Sequence, residues 1–145
     1  MPIAHVNGID LAYEEYGDGF PLVWVHEFAG SMESWLPQVN FFSRRYRVIV
    51  YNARGYPPSS VPADVAAYSQ DHAVDDLYCL LKHLGIEQAH VGGLSMGGSC
   101  TLHFGIRQQD HRRGISRQFT ARLQEPHCLT ICLAPPRSGS RGRSG

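Results

Sequence analysis

The segment Gly92-Gly93-Leu94-Ser95-Met96-Gly97-Gly98 follows a short apolar run, Ala89 to Val91, and leads into a helix-compatible stretch. No other feature of the chain restricts the fold as much, because it demands a strand, a sharp turn and a helix in immediate succession. Glycines two residues either side of the serine have a mechanical reason. Side chains at Gly93 and Gly97 would collide where the strand and helix backbones close on each other. In that context Ser95 presents its Oγ at the apex of the turn and becomes the candidate nucleophile. The plainer alternative is a glycine-rich turn that binds an anion at the helix start, or binds nothing.

The elements around this turn read as an alternation of strands and helices. Residues 3–6 and 9–16 form two strands joined at Asn7-Gly8, a hairpin signal. Residues 22–25 and 48–51 are continuous apolar runs, as expected of strands buried on both faces. Ser31 can cap a helix running to about residue 42. Residues 52–70 form a long connection rich in Pro, Ser and Tyr, a length that suits a functional loop. A helix over 71–84 places Val74, Leu77, Leu81 and Leu84 on one face. Its early acids and late Lys82-His83 complement the helix dipole, and Gly85 ends it. The strand 88–91, the turn and a helix over 96–106 complete the series. The pattern predicts an α/β fold, mostly parallel, with an antiparallel hairpin at its N-terminal edge.

The periodicity breaks after Ile106, and the charge changes sign there. Residues 1–106 hold 11 acids and 5 bases, a net −6; residues 107–145 hold 8 Arg, no Lys and 2 acids, a net +6. The basic stretch is rich in Gly, Ser and Pro and is expected to be a disordered tail foreign to the fold of 1–106. Such a composition is also what a GC-rich gene yields when read in a shifted frame. No aromatic residue interleaves its arginines after Phe119, so no nucleic-acid partner is expected. The only apolar patch in it, residues 128–134, is short and ends in two prolines.

No run approaches 18 apolar residues and the N-terminus lacks a signal-peptide pattern, so neither a membrane partner nor export is expected, and a cytoplasmic protein is. Cys79 and Cys100 fall in helices as small hydrophobes. Cys128 and Cys132, beside His127, lack a second ligand pair, so no metal or other cofactor is expected.

Three ordered segments resemble the α/β-hydrolase superfamily. Residues 22–31, Leu-Val-Trp-Val-His-Glu-Phe-Ala-Gly-Ser, resemble its strand and oxyanion loop; residues 51–59 resemble its D-x-R-G-x-G-x-S loop; residues 90–98 resemble its nucleophile elbow. The match covers about residues 3–106. It implies Ser95 as nucleophile, backbone N–H groups of Phe28 and Met96 as the oxyanion hole, and His26 and Arg54 as loop supports beside Gly93 and Gly97. Ser rather than Asp at position 95 favours a carboxylic ester or lactone as the small-molecule substrate.

Departures from the family pattern matter as much. Glu27 stands where the family has glycine, and is expected to point away from the oxyanion position or to pair with a cation such as Arg54. Asn52 replaces an aspartate that is not normally catalytic. The resemblance further implies a triad acid and histidine on strands after the elbow, in a domain roughly twice this length. The candidates after Ser95 are His103, His111, His127, Asp110 and Glu125. His103 lies on the elbow helix two turns from Ser95, and the others lie in the basic stretch. The chain is therefore expected to carry the N-terminal half of the fold, truncated, with an impaired serine site. The alternatives are an inactive frameshifted product and a non-catalytic binding module. An elbow strand without a further neighbour would be an exposed edge, prone to non-specific self-association.

Overall fold

The computed structural model describes residues 1–110, 119–123 and 128–133, with side chains through residue 108. Strands β1 (Ile3–Val6) and β2 (Ile9–Tyr16) form the expected hairpin. Its turn residues Asn7 and Gly8 have φ of 49° and 74°, the left-handed pair that a tight hairpin twist requires. Strands β3 (Phe20–Val25), β4 (Tyr46–Tyr51) and β5 (His90–Leu94) follow, and β3 lies between the other two in parallel. Both neighbours of β3 are reached by crossovers through helices, the connection that parallel pairing needs. β2 pairs antiparallel with β4 and carries the hairpin outward.

Among the described residues, three α-helices pack on the sheet. Ser31 caps a 3₁₀ turn, Met32–Trp35, which runs into α1 (Leu36–Phe42). The sequence pattern anticipated one helix there; Pro37 in the first turn of α1 marks where the tighter turn gives way to regular helix. Helix α2 (Gln70–His83) is capped by the Ser69 hydroxyl, and α3 (Met96–Asp110) begins directly after the elbow. A core of Leu11, Val23, Ile49, Leu77, Leu80 and Phe104 with their neighbours lies under α2 and α3; a smaller cluster around Trp24, Trp35 and Val39 lies under α1.

Two findings correct the reading of the basic stretch. Arg107 belongs to the folded part, because its guanidinium bonds Asp71 and Asp75 and so straps α3 to α2. The apolar patch at 128–134 supplies β7 (Cys128–Leu133), which pairs antiparallel with β5 and with β6 (Phe119–Leu123). The elbow strand is thus not an edge. Six residues suffice for a strand. The sheet order is β1-β2-β4-β3-β5-β7-β6, with parallel pairing confined to β4-β3-β5. Residues 111–118, 124–127 and 134–145 lie outside the described residues, and with them His111, Glu125 and His127. Among the described residues, no helix is long and apolar enough to cross a membrane.

Candidate active site

Ser95 occupies the single-residue turn between β5 and α3, with φ at +51°. That left-handed conformation disfavours a side chain, and the fold imposes it because the strand must reverse into the helix within one residue. The side chain is exposed, and the Ser95 carbonyl accepts from the Ser99 N–H at 2.9 Å, starting α3. The N–H groups of Met96, Gly97 and Gly98 have no carbonyl four residues back inside the helix, so they face outward as donors.

The glycines around the serine work by exclusion. A Cβ on Gly97 would lie 2.1 Å from the Val25 carbonyl oxygen, and one on Gly93 would lie 2.4 Å from the backbone of Gly97. Gly92, opposite Trp24 in the β3–β5 register, leaves room for the indole, whose ring would stand 2.4 Å from a Cβ there. Gly98 is the looser member, with Gly93 O at 3.3 Å.

The second wall is the loop after β3, and polar bonds hold it. His26 is fully buried. Its Nε2 accepts from the Ala53 N–H at 3.0 Å, so the ring proton resides on Nδ1, which donates to the Glu27 carbonyl at 2.7 Å. Burial lowers the His26 pKa against the raising effect of Glu27, which keeps this tautomer neutral. The Glu27 carbonyl and the Phe28 N–H belong to one peptide plane. His26 therefore orients the very group that the family resemblance assigns to the oxyanion hole. Tyr56 packs edge-on to the His26 ring at 4.6 Å, and its hydroxyl donates to the Phe28 carbonyl, fixing the next plane. The Phe28 side chain itself is 75% exposed.

Arg54 anchors the loop after β4. Its Nε and terminal nitrogen donate to both oxygens of Asp76 on α2, at 2.9 and 2.7 Å, and Asn7 donates to Asp76 at 2.6 Å. The Asp76 side chain is 2% exposed and that of Arg54 9%. Hydrogen bonding to Asp76 raises the Arg54 pKa despite burial. This pairing corrects one expectation for Glu27. Arg54 is committed to Asp76, and Glu27 instead accepts from the Ser34 hydroxyl at 3.0 Å, lying over Gly30. Ser34 is within the capped 3₁₀ turn, so the acid at 27 ties the loop to the start of the next helical segment.

Asn52 carries more than the sequence suggested. Its Oδ1 accepts from the Met32 N–H at 2.8 Å and its Nδ2 donates to the Pro57 carbonyl at 2.7 Å. An aspartate could make the first bond but not the second, so the amide suits this loop. No local signal marks Asp76 or Tyr56 as supports, because their partners are distant in sequence.

A cavity of about 580 Å³ opens beside the elbow, walled by Phe28, Met96 and Gly97 on that side and by α2 and the 52–69 loop on the other. Among the described residues, no histidine or carboxylate hydrogen-bonds Ser95, His103 is exposed on α3, and no group of three or more His, Cys, Asp or Glu could hold a metal.

The pattern of the α/β hydrolase fold family matches residues 21–115. A putative non-heme chloroperoxidase of Synechocystis is 37% identical over 99 residues, which are 67% of this chain and 35% of that protein. The 3-oxoadipate enol-lactonase 2 of Acinetobacter baylyi is 34% identical over 106 residues, 68% of this chain and 39% of the relative. The crystal structure of an epoxide hydrolase from Vigna radiata superposes with a TM-score of 0.73 at 26% identity, over 75% of this chain and 36% of that one. The chain thus spans well under half the length of the curated relatives it matches. With the family's pattern matched over residues 21–115 and a relative 37% identical over two thirds of it, the chain belongs to the α/β-hydrolase superfamily and carries the N-terminal part of its fold.

Proposed function

We propose that Ser95 is an acyl-accepting nucleophile toward carboxylic esters or lactones, and that it acts weakly in this chain. The observation that carries this reading is the placement of an exposed serine at φ +51° directly before the free N–H groups of α3. Attack by Oγ on an ester carbonyl forms the new C–O bond and moves the carbonyl electron pair onto oxygen. The N–H groups of Met96 and Phe28 receive that charge, the alkoxide departs, and water releases the acid. Two preorganised donors are worth several kcal/mol at such a centre. What the site lacks, among the described residues, is a base bonded to Oγ, so the proton leaves to solvent and the attack is slow. Serine at 95 and the lactonase relative favour ester or lactone over epoxide.

Hydrolysis of p-nitrophenyl acetate tests the proposal. Turnover below about 1 s⁻¹ that falls further in Ser95→Ala is expected, since an oxyanion hole without its triad retains only residual catalysis. Turnover unchanged by Ser95→Ala overturns the assignment of the serine; turnover above about 1 s⁻¹ that needs Ser95 overturns the claim of impairment. A second reading, a hydrolase-like binding module, draws on the same missing base together with the apolar cavity. Complete failure of Ser95 to react would favour it.

A further inference from the structure

The sequence holds three methionines, and the fold treats each differently. Met1 is exposed at the N-terminus, Met32 is buried in the cluster under α1, and Met96 is half-buried and lines the cavity beside the elbow. Met96 Sδ lies 3.8 Å from the Tyr56 hydroxyl, the same hydroxyl that donates to the Phe28 carbonyl. A phenol has one proton to donate and a thioether sulfur is a weak acceptor, so the carbonyl holds it. Burial raises the Tyr56 pKa and the Glu27 carboxylate adds to the rise, which keeps that proton in place at neutral pH. The ring carrying the hydroxyl is fixed. It packs edge-on to His26 at 4.6 Å, and the Tyr56 backbone bonds Ala53 and Ser59 at 3.0 Å each. Only the O–H bond is left free to turn.

Oxidation of the thioether changes which acceptor is stronger. A lone pair of Sδ attacks one oxygen of a peroxide and the O–O bond breaks. The proton on the transferred oxygen passes to the departing hydroxide, which leaves as water; sulfur loses two electrons and the peroxide gains them. From a sulfur 3.8 Å away, an oxygen added on the tyrosine side reaches ordinary O–H···O range, about 2.7 Å.

We propose that Met96 is a peroxide-sensitive modification site, at which the sulfoxide oxygen draws the Tyr56 hydroxyl off the Phe28 carbonyl and so loosens the loop after β3. The cavity gives a small peroxide its approach to the sulfur. Met32, 8% exposed, has no such approach. The consequence for turnover rests on the reading of Ser95 given above; the oxidation and the change at Phe28 do not.

Phe28-Ala29 is the one Phe-Ala pair in the chain, so ¹³C at the phenylalanine carbonyl and ¹⁵N in alanine give a single NMR signal for the Phe28 carbonyl. Hydrogen peroxide is added to the full chain, and peptide mass spectrometry follows each methionine. Met96 is expected to gain an oxygen before Met32 does, and the Phe28 signal to move to the position it takes in Tyr56→Phe. Methionine sulfoxide reductases should return it. In Met96→Leu, which keeps all four cysteines, peroxide should leave the signal in place. Turnover of p-nitrophenyl acetate should fall about threefold to tenfold in the oxidised parent, the worth of one hydrogen bond. In Met96→Leu peroxide should not alter it, whatever the starting rate. Oxidation of Met32 ahead of Met96 overturns the proposal. So does a Phe28 signal that Met96 oxidation leaves in place, or one that peroxide moves equally in Met96→Leu, whether or not Tyr56→Phe folds. A shifted signal in a chain whose turnover does not need Ser95 upholds the proposal and fails the earlier reading alone.

Discussion

The elbow and the loop after β3, which on the proposed reading each supply one N–H to the same oxyanion position, are built on opposite principles. The elbow is held by exclusion, with backbone packed so closely around Gly93 and Gly97 that no side chain fits. The β3 loop is held by a relay of polar bonds running from Asp76 through Arg54 to the 52–60 loop, whose Ala53 N–H reaches His26 and then the Glu27–Phe28 peptide. Steric exclusion is nearly all-or-none, since backbone atoms at 2.1 Å cannot relax as flexible side chains can. A hydrogen-bonded relay fails by degrees, one bond at a time, and one of its members titrates. The two walls of the site should therefore respond differently to substitution and to pH.

The largest effect is expected at the elbow. Gly97→Ala drives a Cβ into the Val25 carbonyl and should cost about 3 kcal/mol or more, enough to abolish a cooperative thermal transition. Gly98→Ala, with its nearest atom at 3.3 Å, should stay within about 1 kcal/mol of the parent. Equal behaviour of the two variants in thermal melts would break the exclusion argument. Next comes Asp76→Ala, which strands a buried guanidinium and should destabilise by about 3 kcal/mol. Replacing Arg54 and Asp76 together by leucine should restore most of that loss in chemical denaturation.

His26→Ala should be milder for stability, at about 1–3 kcal/mol, but should lower Ser95-dependent kcat by roughly tenfold or more with KM little changed. That split follows because the ring touches the peptide of the hole and not the substrate; a rise in KM alone would contradict it. The pH dependence has a definite sign. Burial lowers the pKa of His26 and of His90, so below pH 6.5 the unfolded chain binds protons that the folded chain refuses. Stability is then full above that pH and declines as pH falls through the lowered values. The melting temperature should drop on acidification, with a shallower slope in His26→Gln. Tyr56→Phe, which loses the bond to the Phe28 carbonyl, should cost about 1 kcal/mol.

The same contrast explains what could be read from the residues alone. Exclusion is written locally, since glycines at fixed offsets from Ser95 announce both the turn and its tightness. The hairpin at Asn7-Gly8 and the dipole-matched helix α2 are local in the same sense, and the structure reproduces them within a residue or two. The relay is long-range. Asp76 looks like one of several surface acids in the first half of α2, and only the fold sets it under Arg54 and Asn7. Asn52 and Glu27 were visible as departures from a family pattern, but their partners Met32, Pro57 and Ser34 were not. Arg107 and the strand Cys128–Leu133 were hidden by composition, because arginine content and flanking prolines resemble a tail even where the backbone pairs with β5.

The central claim, that Ser95 Oγ is the reacting atom of a preformed oxyanion site, is tested most directly by mass spectrometry after exposure to a fluorophosphonate. We expect one adduct per chain, on the peptide that contains Ser95, accumulating slowly, absent in Ser95→Ala and slower still in His26→Ala. No adduct, or one that persists in Ser95→Ala, would contradict the account.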